Sequence, residues 1–238
     1  MLVPHGKPLL GDFRARAGLT LAACAIVTVG LGLLFVGQTV PDGLDNAVDS
    51  RVIAFFAGQE TLLGWLAAPG TLIPAIAVSV ATAAGCLIVG RLSGAVLAVT
   101  AVPVATTLND ALLKHVFHRV YLGALSFPSG HTASAAALTA TLAVLLLVPP
   151  QRAATRSARV AVVATACVVT AVVAMAVIGL SWHYFTDTVA GAAVGLGTVC
   201  ALALLLDFIQ GVLTASRALP PEPASRPEEG IDNGRVKR

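Results

Sequence analysis

Three short segments hold four of the five histidines in this 238-residue chain. The first is Asn109-Asp110-Ala111-Leu112-Leu113-Lys114-His115-Val116-Phe117-His118-Arg119, the second Ser126-Phe127-Pro128-Ser129-Gly130-His131, and the third Ser181-Trp182-His183-Tyr184-Phe185-Thr186-Asp187. The second opens an apolar run over 132–148, so Ser129 stands where a helix is capped and Gly130 where a ligand could approach the backbone. The first N–H groups of a helix have no partners within it, and its dipole favours an anion there. His131, at that start, can hold or donate a proton. His183 and Asp187 are four apart and would share one face of a helical turn. An aspartate that accepts the Nδ1 proton of a histidine frees Nε2 as base or nucleophile. Lys114 and Arg119 add a point charge and a planar fork, both suited to phosphate oxygens.

Taken singly, each feature has a plainer reading. Cations at a membrane edge snorkel, and a lone His–Asp pair is often a satisfied polar contact. Taken together they point to phosphoryl transfer through a covalent histidine. His183 attacks phosphorus and His131 protonates the leaving oxygen. Lys114, Arg119 and the N–H groups around Gly130 stabilise the equatorial oxygens. No metal and no cofactor is expected.

The elements that must position these groups are membrane helices. The chain is 57% hydrophobic and only 11% charged, with a mean hydropathy of +0.87, which excludes an ordinary soluble domain. The partners expected are the bilayer and a membrane lipid, with no nucleic acid. Cys24, Cys86, Cys167 and Cys200 lie in apolar runs without Cys-x-x-Cys spacing and read as small buried hydrophobes.

Six spans are expected, at about 17–37, 72–90, 95–108, 129–148, 160–180 and 188–206. The first is too long for a signal-peptide core, and too few apolar residues precede Leu21-Ala22-Ala23-Cys24 for a lipoprotein signal. Pro103 is a candidate kink, and Pro149-Pro150 stops the fourth span. Gly191 and Gly195 form a small-xxx-small pair for helix packing. Residues 38–60 read first as a structured loop; the competing reading is an interfacial helix with Leu44, Val48, Val52 and Phe55/Phe56 on its apolar face. The fold expected is an all-α bundle over 17–212, between an N-terminal segment at 1–16 and a disordered tail at 213–238. Of the fifteen lysines and arginines, all but Arg51, Lys114 and Arg119 fall on the side of the termini. Both termini are therefore expected in the cytoplasm, with all three polar segments on the outer face of the cell membrane.

The motifs resemble those of the type 2 phosphatidic acid phosphatase superfamily, the lipid phosphate phosphatases related to vanadium haloperoxidases. Its pattern is Lys-x6-Arg-Pro, then Pro-Ser-Gly-His, then Ser-Arg-x5-His-x3-Asp. Pro128-Ser129-Gly130-His131 matches the second segment and His183-x3-Asp187 the end of the third, over about 44–206 of the chain. The resemblance implies His183 as nucleophile, Asp187 as its orienting partner and His131 as general acid. It also implies Lys114, Ser129 and Gly130 as phosphate ligands. The family arginines fall on Tyr121, followed by Leu122, and on Val177, which leaves Arg119 as the expected substitute.

The function expected is hydrolysis of a lipid phosphate or diphosphate at the outer face. By analogy with bacterial members, a polyprenyl diphosphate ranks before a glycerolipid phosphate. The rival is a degenerate lipid-phosphate binder. Serine hydrolysis by Ser129 lacks an oxyanion loop, and a metal site at His115, His118 and Asp110 fits no ligand motif.

Overall fold

The computed structural model describes residues 8–148 and 155–218, and it is mostly helical. A helix forms at every expected span: α1 Arg14–Leu34, α4 Leu72–Ile88, α5 Leu92–Thr107, α7 Gly130–Leu147, α8 Arg156–Gly179 and α9 Phe185–Ala218. Among the described residues five helical segments are long and apolar enough to cross a membrane, or six if the bent pair Gly43–Phe55 and Glu60–Gly70 is one span. The five are α1 with its first turn, α5 with its continuation to Phe117, α7, α8 and α9. At 17 residues α4 is shorter.

Residues 38–60 are not a loop. They contain α2, Gly43–Phe55, capped by Asp42, whose side chain accepts from Asp45 N at 2.7 Å. A second helix, α3 Glu60–Ala67, follows, and the pair is bent by 115°. Leu44 and Phe55 are exposed, while Asp45 and Asp49 are buried. The helix turns its carboxylates inward because unpaired backbone N–H groups await them there, as described below.

The region between α5 and α7 is more ordered than a polar loop. A π-helical turn, Leu108–Leu113, leads into the short α6, Lys114–Phe117. A two-stranded antiparallel ribbon then pairs β1, Val120–Tyr121, with β2, Ala124–Leu125. Phe35–Gln38 docks on it: Gly37 N donates to Phe117 O and Val120 N to Gln38 O, both at 2.9 Å.

At the centre of the bundle, α7 packs on α9, α8, α5 and α4. Its inward face is made of small residues, including Ala133, Ala137 and Ala140, so neighbouring backbones can come close. Gly191 and Gly195 are where α9 does so. A Cβ on Gly191 would collide with Ser129 O, and one on Gly195 with Ala133 O. The packing role read for these glycines is the one they have. Gly70, after α3, abuts the same region: a Cβ there would lie 2.7 Å from His131 O.

Helix α9 runs beyond its expected end near residue 206, through the first part of the expected tail; residues 219–238 lie outside the described residues. It continues because Asp207 is paired and buried. Its carboxylate accepts from Leu9 N at 2.5 Å, Leu10 N at 3.1 Å and Arg14 Nε at 3.1 Å. Cys24, Cys86 and Cys200 are buried as expected, but Cys167 is exposed on the outside of α8.

Candidate active site

One end of the bundle gathers the end of α5, the start of α7 and the start of α9. The π-helical turn places Asn109 so that its Nδ2 donates to Pro128 O and to Asp110 Oδ1, both at 3.1 Å. Single-turn π-helical insertions are frequent at functional sites. Ser129 N donates to Asp187 O at 2.9 Å, which ties the second polar segment to the third.

Ser129 caps α7. Its Oγ accepts from Thr132 N at 3.5 Å and from Thr132 Oγ1 at 3.2 Å, so its own hydroxyl proton is left to donate elsewhere. The N–H groups of Gly130 and His131 have no acceptor among the described residues. This helix start therefore offers two unused donors, the kind of cradle that suits an anion.

His183 is buried, and its Nδ1 lies 2.9 Å from Ser126 O. A carbonyl oxygen only accepts, so Nδ1 carries the proton and Nε2 presents its lone pair. Asp187 was expected to orient this ring, but its Oδ2 is 3.9 Å from Nδ1, outside hydrogen-bond range. The backbone of Ser126 does the orienting, and Asp187 contributes charge at one remove. The His131 ring lies 6.2 Å from that of His183, centroid to centroid, and 5.4 Å from that of Trp182.

Arg119 departs most from expectation. As a phosphate ligand it should face the cleft, yet it is fully buried and already paired. Nη1 donates to Asp187 Oδ1 and to Thr186 Oγ1, both at 2.7 Å, and Nη2 donates to Asp45 Oδ2 at 2.5 Å. Its guanidinium is stacked between Phe35, at 4.4 Å, and Tyr184, at 4.2 Å. Burial pushes the Tyr184 phenol up to about 12, so that ring meets the cation uncharged. The planar fork that suits a phosphate suits two carboxylates equally well, and the fold supplies the carboxylates.

Among the described residues Lys114 is the cation left beside the cradle. Its Nζ pairs with Asp110 Oδ1 at 2.9 Å, and a Cβ on Gly130 would lie 3.4 Å from that same oxygen. Asp110 thus lies against the start of α7. The positions of the family arginines are filled otherwise. The Tyr121 ring packs at 4.2 Å from Tyr184, and Val177 is buried against Leu63 and Ala67 of α3. His115, His118 and Asp110 do not assemble: among the described residues no three His, Cys, Asp or Glu side chains are placed to hold a metal.

The PAP2 superfamily model matches residues 73–210, more than half of the chain. The chain belongs to the PAP2 superfamily. No curated protein and no solved structure matches it. PAP2 proteins are generally phosphatases acting on phosphate esters, and the three polar segments lie within the matched region. The match begins in α4, so α2, with Asp45 and Asp49, lies outside it.

Three contributors to the site escaped sequence reading, Asp45, Asp49 and the carbonyl of Ser126, and Asp110 was weighed there only as a metal ligand. Asp45 and Asp49 had a signal, since two carboxylates four apart on an amphipathic segment share one face. A backbone carbonyl leaves none.

Proposed function

We propose that the chain is a membrane phosphatase releasing phosphate from a lipid phosphate or diphosphate at the extracytoplasmic surface. A polyprenyl diphosphate ranks first and a glycerolipid phosphate second. The observation that carries this reading is the hydrogen bond from His183 Nδ1 to Ser126 O, which leaves Nε2 as a lone pair on the side chain nearest the unused donors at the start of α7. Nε2 attacks phosphorus as the bond to the leaving oxygen breaks, and His131 gives that oxygen a proton. Water, deprotonated by His131, then cleaves the phosphorus–nitrogen bond and releases phosphate, restoring both histidines. The N–H groups of Gly130 and His131, the Ser129 hydroxyl and Lys114 hold the equatorial oxygens. With Arg119 committed to carboxylates, Lys114 has to leave Asp110 for the phosphate.

That commitment also favours a second reading, a lipid-phosphate binder without turnover, because among the described residues no arginine faces the cradle. One assay separates the two. Purified native protein is expected to release phosphate from a polyprenyl diphosphate or a phosphatidate, and His183→Ala to release none. Activity that survives His183→Ala overturns the nucleophile, and an inactive native protein favours the binder.

A further inference from the structure

The side chain of Asp45 belongs to α2, outside the region matched by the superfamily, yet it reaches the residues next to the proposed nucleophile. Oδ1 accepts from Thr186 N at 2.9 Å, and Oδ2 accepts from Thr186 Oγ1 at 2.9 Å and from Arg119 Nη2 at 2.5 Å. One turn later Asp49 Oδ1 accepts from Phe185 N at 3.1 Å. The cluster thus holds three carboxylates, Asp45, Asp49 and Asp187, around one guanidinium, all of them buried.

We propose that Asp45 is a positioning residue for phosphoryl transfer, supplying the surplus negative charge against which the imidazolium of phosphorylated His183 forms. The inference rests on the function proposed above. If Nε2 forms a bond to phosphorus while Nδ1 keeps its proton, the ring becomes a cation in a site shielded from water. Asp187 is the nearest carboxylate, 3.9 Å from Nδ1, but its other oxygen is held by Arg119 at 2.7 Å. Arg119 and Asp187 alone sum to zero, and Asp49, whose carboxyl is pushed up to about 7 by burial and by the neighbouring Asp45, adds only part of a charge. Asp45 takes the second arm of Arg119 and returns the balance to negative, so that Asp187 can act on the ring. A mechanical tether would not need this charge. A neutral acceptor could receive the Thr186 N–H, and burying a carboxylate beside a second one is costly.

The test uses full-length protein in detergent, phosphate release from whichever of the two lipids the native protein cleaves, and a thermal melt of each variant. Asp45→Asn keeps the shape and an acceptor but removes the charge. We expect kcat to fall at least about thirtyfold with KM within about threefold, because the interaction develops only as the ring becomes charged. The double variant Asp45→Asn/Arg119→Gln removes both charges and restores the balance left by Asp187. It should exceed Asp45→Asn by at least about tenfold in kcat, whereas lost tethering predicts that it is no better. A smaller loss in the single variant, or a double variant no faster than the single, overturns the proposal. If Asp45→Asn does not fold, the double variant decides alone: kcat within about tenfold of native supports the proposal and a larger loss overturns it. Native activity that is lost in His183→Ala but unchanged in Asp45→Asn strikes at Asp45 only. A native protein inactive on both lipids overturns this proposal together with the function on which it rests.

Discussion

Two helix starts meet at one end of this bundle, and they treat the same electrostatic resource in opposite ways. At α9 the N–H of Tyr184 donates to Asp187 Oδ2, that of Phe185 to Asp49 and that of Thr186 to Asp45. Three carboxylates occupy its positive end. At α7 the cap satisfies Thr132, while the N–H groups of Gly130 and His131 are left without acceptors among the described residues. The first start serves as adhesive between α2, Arg119 and α9. The second leaves two of its donors unused. The difference lies in neighbours: α9 receives carboxylates from another helix, and α7 receives the backbone of α9 at Gly191 and of Gly70.

Breaking the filled start should cost most. Arg119→Ala leaves Asp45 and Asp187 buried without their cation, and we expect a loss of about 3–5 kcal/mol in stability, measured by reversible denaturation in mixed micelles. A variant that keeps native stability and changes only KM would return Arg119 to the phosphate. Gly191→Ala presses a methyl group onto Ser129 O and should cost about 1–3 kcal/mol, with activity falling as α9 is pushed from the cradle. Unaltered stability there would mean that the two helices can part freely.

The open start should yield smaller effects. Ser129→Ala removes a cap worth about 1 kcal/mol of stability and, in addition, a proton donor to phosphate. The two losses separate if a melt is set beside KM. Asp110→Asn removes the carboxylate next to Gly130 and frees Lys114, so KM for a phosphorylated lipid should fall by about three- to tenfold, or about 0.7–1.4 kcal/mol. A rise in KM instead would make Asp110 a guide for Lys114 and not a competitor with the substrate.

What could be read in the amino-acid order was whatever depends on local pattern. Charge-free runs gave the helices, Ser129 gave a cap, and the spacing of Gly191 and Gly195 gave a packing face. The misreadings came where a tertiary partner decides. Arg119 looks like a phosphate fork because the sequence shows its charge and not the two carboxylates that meet it. Helix α2 read first as a loop, and otherwise as an interfacial helix with Leu44, Val48, Val52 and Phe55/Phe56 on its apolar face, because apolar periodicity is the usual guide to how a helix sits. Here the inward face is Asp45 and Asp49, and what they bury against is the unpaired start of another helix. Asp207 looked like the end of a span for the same reason: its partners lie nearly 200 positions earlier in the chain.

That last contact has a practical side. Since the backbone of Leu9 and Leu10 is fastened to Asp207, the front of the sequence is sewn to the far end of its longest helix. Trimming from the back can proceed safely only as far as the residues beyond Asp207. A cut that removes Asp207 would release the leading segment along with the piece removed, and an affinity tag at the front would need a spacer long enough to leave that stitch undisturbed.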